Sequence, residues 1–188
     1  MNRPTGVILT GGLSSRMGSD KAFVVAGDRP MAVIVADALW EGGCNPVECQ
    51  GGDLDRLRAE LGLTAEPDVR AGGGPVVAIA SALERVERHV LVAACDLPGL
   101  DATTVRAVVD AGRTERSVAV ASADGRDHLV ADWPSEAAST LTELIESGSG
   151  RMPSFRDALD ACDARRVPVA SAAVRNVNRP DDIDPERS

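Results

Sequence analysis

The sequence predicts an α/β fold, a mostly parallel sheet with helices on both faces. Three observations carry that reading. Short apolar runs, clearest at 7–10 and 89–95, are bounded by turn residues, as buried strands are. Between such runs lie stretches with apolar residues at helical spacing, the alternation of βαβ units. The chemically unusual residues follow the runs directly, and in parallel sheets ligands bind at the carboxyl ends of the strands.

Taken in order, Val7–Thr10 reads as the first strand. Pro30 suits a first helical turn, and a helix is expected from there to about Trp40, stopped by Gly42-Gly43. Val47–Cys49 reads as a second strand. Leu54, Leu57 and Leu61 have helix spacing. A loop at Gly72–Pro75 leads into a helix over 75–86, and "HVLVAAC" at His89–Cys95 is the next strand. Asp101 is placed to cap a helix over 102–111, with Val105, Val108 and Val109 on one face. Ser117–Ser122 and His128–Trp133 read as strands joined across the turn signal Asp124-Gly125. Helices are expected near 134–147 and 153–163, and extended segments at Val167–Ala170 and Ala173–Val177.

A chain of 188 residues suits a single domain spanning 1–188, and fraying is expected from about 184 to 188. The net charge of −9 argues against a nucleic-acid partner, and two Phe, two Trp and no Tyr leave little for base stacking. No apolar run approaches the roughly 20 residues needed to cross a bilayer. The first residues lead straight into a strand, without signal-peptide character. Cys44, Cys49, Cys95 and Cys162 form no CxxC pair and read as reduced, mostly buried thiols of a cytoplasmic protein.

The stretch "LTGGLSSRMGSDKA" follows the first strand. Gly11 and Gly12 let the backbone approach a ligand, amide groups can face an anion, and Arg16 and Lys21 add positive charge. A strand-to-helix turn with surface charges would also account for Gly-Gly alone. Lys21 tips the balance: it is the only lysine beside nineteen arginines, and a compact ammonium fits a phosphate where a guanidinium does not. The stretch is neither a Walker A loop nor G-x-G-x-x-G.

This stretch closely resembles the LAGGxSxRMGxDK signature of the molybdenum cofactor guanylyltransferases, a MobA-like nucleotidyltransferase family. It matches at Leu9, Gly11, Gly12, Ser14, Arg16, Met17, Gly18, Asp20 and Lys21, and departs at Thr10, where the family usually has Ala. Further likenesses fall in order: "GDRPM", then "EPDVRAGGGPVVAI" with Asp68, then "AACDLPGL" with Asp96, then "VRNVNRPDDI" with Asn176 and Asn178. Together they run from about Gly6 to Ile183.

The resemblance implies a Rossmann-like three-layer α/β/α sandwich of the nucleotide-diphospho-sugar-transferase type. It implies transfer of GMP from GTP to molybdopterin, giving the guanine dinucleotide and pyrophosphate. Lys21, Arg16 and Asp96 would be catalytic, and Asp96, at a strand's carboxyl end, would hold Mg²⁺ with phosphate oxygens. The nucleotide would meet Leu9, Thr10, Gly11, Gly12, Lys21, Gln50, Asp68 and Asp96. The glycine at Gly12, where pyrimidine-using relatives commonly have Ala, suits guanine. Asn176, Asn178 and His128, the last in "DGRDH", would face the pterin, and Arg151 in "GSGRMPS" is available for its phosphate. Turn and cap roles remain open for Asp68, Asp96, the asparagines and the Asp124–His128 stretch. Cofactor-delivery proteins and molybdoenzymes are the protein partners implied; no nucleic acid or membrane is expected. The alternatives are a nucleotidyltransferase of the same fold using CTP or a sugar phosphate, and a non-catalytic GTP-binding factor of molybdoenzyme maturation.

Overall fold

Strand β1 (Thr5–Leu9) runs through the middle of a seven-stranded sheet, with β4 (Val47–Gln50) on one side and β6 (Val90–Ala94) on the other, both parallel to it. The sheet belongs to a computed structural model that describes residues 3–11, 21–69, 72–86, 88–147 and 151–177. Beyond β4 lies β5 (Ala65–Glu66), also parallel. Beyond β6 come β8 (Arg126–Trp133), β7 (Ala119–Ala123) and β9 (Arg165–Pro168), so the order is β5-β4-β1-β6-β8-β7-β9. Strand β8 opposes the others, because the Asp124-Gly125 turn, with both residues at positive φ, folds it back from β7. The expected mostly parallel sheet is therefore present.

Alternation along the strands divides the core into two layers. Ile8, Cys49, Leu91 and Ala93 face the helices α1 (Met31–Glu41), α2 (Leu54–Leu61) and α4 (Ala102–Glu115). Val7, Val90, Val92 and Trp133 face α3 (Gly74–Val86), α5 (Ala137–Glu146) and α6 (Phe155–Ala161). Burying both faces of a sheet in this way is what the continuous apolar runs anticipate. Phe155 meets Trp133 edge-on, with ring centroids 6.2 Å apart.

Local chemistry sets the helix ends. Asp53 accepts from the Arg56 amide at 3.1 Å, and Gly62 closes α2 in the left-handed conformation, φ 68°. Asp101 accepts from the Thr104 amide at 2.7 Å, as its sequence position predicts, and Val105, Val108 and Val109 lie in the core. Ser154 and Asp157 form a capping box on α6.

The structure departs from expectation at short elements. Strand β5 and the small hairpin of β2 (Val25–Ala26) and β3 (Arg29–Pro30) leave no signal in the sequence, since two residues carry no period. The expected extended segment over Ala173–Val177 instead begins in a 3-10 turn, Ser171–Val174. Its Ala173 amide bonds back to the Ala170 carbonyl at 3.0 Å and buries Ala173 and Val174. The last residues, 178–188, with the fraying expected there, lie outside those described.

The chain runs outward from β1 to β4 and β5, then returns to lay β6 on the far side of β1. That reversal opens a crevice between the carboxyl ends of β1 and β6, where open α/β sheets take their ligands. Among the described residues no helix is long and apolar enough to cross a membrane.

Candidate active site

Asp96 stands just past the end of β6, with 8% of its surface exposed. The turn after it is anchored by buried Leu97 and Leu100. Both carboxylate oxygens are engaged: Oδ2 pairs with the Lys21 ammonium at 2.7 Å, and Oδ1 accepts from Asn176 Nδ2 at 2.8 Å. The Val177 amide also donates to the Asp96 carbonyl at 2.9 Å. Three residues singled out from the sequence thus meet at one carboxylate.

The two residues after Lys21 hold it in place. Lys21 opens a 3-10 turn, Lys21–Phe23, in which Ala22 is fully buried in the α1 layer. The Arg56 guanidinium sits over the Phe23 ring, 3.9 Å from its centroid. The turn is therefore held by packing, and the lysine at its start points at the β6 end.

On the other side of β1 the strand ends are drawn together. The Thr10 and Gly11 amides donate to the Gln50 carbonyl at 3.0 and 3.1 Å. Thr10 Oγ1 donates to the Gly51 carbonyl at 2.7 Å. Where the resemblance has Ala, this hydroxyl ties the end of β1 to the end of β4, a structural role for the threonine. Leu9 packs partly buried on the α3 side.

Asp68 follows β5, and its carboxylate lies between two glycines. A Cβ at either Gly11 or Gly51 would overlap Asp68 Oδ2, and one at Gly51 would also come within 2.8 Å of Gly11 Cα. Only glycine allows this three-way approach, and Gly51 adds a positive φ of 76°. Burial raises the Asp68 carboxyl above its ordinary value.

Gln50 is 2% exposed, and its side chain turns inward, Nε2 donating to the Pro67 carbonyl at 3.2 Å. Its backbone carbonyl, rather than its side-chain amide, faces the β1 end.

Past β6 a cleft of about 730 Å³ opens, lined by Arg126, His128, Arg175 and Asn176, with Asp124 and Val174. Asn176 belongs both to this cleft and to the Asp96 cluster, so the two adjoin. Arg151 lies apart, at the start of α6, paired with Asp157 at 3.2 Å. Gly12, Arg16 and Asn178 lie outside the described residues. Sequence reasoning does not single out Gly51 or Arg175. Glycine after a strand and arginine in a polar tail are common, and only the fold brings these two to the site.

The site therefore lines the carboxyl edge of the sheet in order: Asp68, Gly51, Gly11, Asp96, then the cleft. Among the described residues Asp96 is the carboxylate placed to meet a cation, and no group of three or more His, Cys, Asp or Glu gathers. Each Asp96 oxygen accepts one side-chain bond and keeps a second lone pair. That donor set fits Mg²⁺, which commonly takes one or two carboxylates and completes its shell with phosphate oxygens and water.

Residues 6–165 match the family model described as the MobA-like NTP transferase domain. The chain belongs to this family. It is a nucleotidyltransferase, and its likeness to curated relatives covers nearly its full length. The molybdenum cofactor guanylyltransferase of Rhizobium rhizogenes is 30% identical over 96% of this chain and 89% of its own. Among solved structures, molybdopterin-guanine dinucleotide biosynthesis protein A from Archaeoglobus fulgidus superposes with a TM-score of 0.79 at 20% identity, over 96% of this chain and 95% of that one. The 2-C-methyl-D-erythritol 4-phosphate cytidylyltransferase from Thermus thermophilus gives 0.71 at 15%, over 94% of each. At such identities the structural likeness speaks for the fold, the three-layer sandwich of nucleotide-diphospho-sugar-transferase type.

Proposed function

We propose that this MobA-like nucleotidyltransferase transfers GMP from GTP to molybdopterin, forming molybdopterin guanine dinucleotide and pyrophosphate with Mg²⁺ bound at Asp96. The observation that carries the reading is the position of Asp96. It stands between Lys21 and the glycine edge on one side and an arginine-bearing cleft on the other.

The chemistry asks little of a general base. The nucleophile is a terminal phosphate of the acceptor, largely ionised at neutral pH because its second pKa is about 6. Its oxygen attacks the α-phosphorus of GTP, the new O–P bond forms, and the bond to the β-phosphate breaks to release pyrophosphate. Two polyanions must be brought together and the transition-state charge held, so positioning and electrostatics dominate. Bound at Asp96, Mg²⁺ would supply positive charge to the α-phosphate oxygens. Lys21 and Arg16, with the amides of the glycine loop, hold the β- and γ-phosphates and the departing pyrophosphate. Asp68, at the far end of the edge, faces the ribose or base, and the choice of glycine over alanine at position 12 suits guanine.

Arg126 and Arg175 give the cleft positive charge in a chain of net charge −9, and His128 adds a polar ring, which suits an acceptor bearing a phosphate. Asn176 joins that cleft to the reacting centre, with Asn178 as a further acceptor contact; Arg151, held by Asp157 away from the cleft, is left out of this role. Buried thiols at Cys44, Cys49 and Cys95 suit a reducing compartment, so a cytoplasmic location is part of the proposal. Cofactor-delivery proteins and molybdoenzymes are the partners on either side of the reaction.

The test is to incubate the protein with Mg²⁺, molybdopterin and each of the four nucleoside triphosphates in turn, and to detect products by mass. The guanine dinucleotide with stoichiometric pyrophosphate is expected from GTP. A cytosine dinucleotide instead would assign CTP. Tight GTP binding with no pyrophosphate release would mark a binding factor.

A further inference from the structure

Two polar side chains lie buried side by side on β4, in a layer formed mostly by apolar residues. Glu48 and Gln50 alternate with Cys49 along β4 and turn toward the α3 layer, beside Val7 and Leu9 of β1. They are 7% and 2% exposed. A carboxylate and an amide so deeply buried cost stability unless each is partnered. The partner is Arg85, in the last turn of α3: its guanidinium pairs with Glu48 Oε1 and reaches Gln50 Oε1 at 3.4 Å. With its oxygen toward Arg85, the Gln50 amide has its nitrogen toward the Pro67 carbonyl, 3.2 Å away. Pro67 directly precedes Asp68.

Stability alone does not account for this trio, since well-packed apolar residues in place of a buried ion pair are often neutral or stabilising. What apolar residues do not supply is the fixed amide orientation, and with it the bond to Pro67. We propose that Arg85 is a positioning residue for the nucleotide edge. By holding Glu48 and Gln50 it fixes the Gln50 amide on the Pro67 carbonyl and so keeps the Asp68 carboxylate against Gly11 and Gly51. The inference rests on the reading that Asp68 faces a bound nucleoside triphosphate.

The test compares wild type, Glu48→Leu/Arg85→Leu and Arg85→Lys. GTP affinity is measured by calorimetry, KM for GTP and kcat in the transfer assay, and Tm by thermal denaturation. The double variant replaces the ion pair with apolar packing and is expected to keep a near wild-type Tm. Its GTP affinity should weaken about fivefold to tenfold, the worth of one hydrogen bond. KM for GTP should rise in step while kcat at saturating GTP stays within about twofold. Arg85→Lys keeps a charge on Glu48 but shortens the reach to Gln50, so it should fall between the two. Wild-type GTP affinity in the folded double variant, or in Arg85→Lys if the double variant does not fold, would overturn the positioning role. A wild-type protein that binds no GTP would instead overturn the nucleotide reading, and this inference with it.

Discussion

Lys21 and Asp96 are 75 residues apart in the chain and 2.7 Å apart in space. The contact joins the segment after β1 to the end of β6 across the crevice where the sheet changes direction. A single carboxylate thereby connects the Lys21 side of the site with the cleft on its other flank.

The chain uses arginine at every basic position except this one, and the geometry gives a reason. Lys21 presents one compact ammonium to Asp96 Oδ2, whereas a planar guanidinium would need more room and a different approach. Lys21→Arg is expected to keep the fold and lower kcat about tenfold or more, a loss of roughly 1.4 kcal/mol or above in transition-state stabilisation. Steady-state kinetics checks it, and wild-type kcat would mean the lysine is incidental.

Gly11 and Asp68 predict a coupled pair. Gly11→Ala puts a methyl group onto the Asp68 carboxylate and should displace it, weakening GTP binding and costing about 1–3 kcal/mol of stability. Adding Asp68→Ala removes the obstruction. The double variant should then be more stable than the sum of the single effects predicts, and a double-mutant cycle of denaturant midpoints measures this. Strict additivity would show that the two residues do not press on each other.

Arg175 should separate the two substrates. It lines the cleft beyond Asp96 and not the glycine edge. Arg175→Ala is expected to raise KM for molybdopterin about tenfold, as the loss of a charged hydrogen bond does, and to leave KM for GTP within about twofold. The reverse pattern would place the acceptor elsewhere.

At the opposite edge of the sheet, His89 Nδ1 lies 3.0 Å from Oδ2 of the fully buried Asp132. That bond raises the His89 pKa above its ordinary value near 6.5; burial and Arg113 oppose it, while the charges of Asp132 and Glu136 add to it. A raised folded pKa means that the protonated histidine stabilises the fold. The gain is complete below about pH 6.5 and is lost as pH climbs through the raised value. Wild type should therefore exceed His89→Gln in Tm by more at about pH 6 than at about pH 9. For a chain of this length each kcal/mol corresponds to about 2–4 °C. A Tm difference that stays constant between those pH values would contradict the linkage.

Much of this architecture is legible in the residues. Buried strands leave unbroken apolar runs, so β1 and β6 stand out. The leucine spacing gives α2 its bounds, 54–61, and Asp101 announces α4. The acid after β6 and the lone lysine after β1 are visible as oddities of composition. Two-residue strands and the turn at Ser171–Val174 are not, because tertiary packing decides them. The trio of Glu48, Gln50 and Arg85 is equally hidden. Nothing in the residues at 48 and 50 names Arg85 as their partner, and only the placement of α3 shows that this face of β4 is covered. The same holds for Arg175 and Arg126, which line one cleft only because the 3-10 turn after β9 returns the chain to the β8 edge.

The central claim is that Asp96 serves both sides of the site. Asp96→Asn tests it with the least disturbance, since shape and the chance to hydrogen-bond are retained. Single-turnover mixing of the variant with GTP, Mg²⁺ and molybdopterin, read by pyrophosphate release, is the decisive measurement. The expected result is a folded protein that still binds GTP and the pterin but transfers at least about 100-fold more slowly. Transfer at the wild-type rate by the folded variant would contradict it.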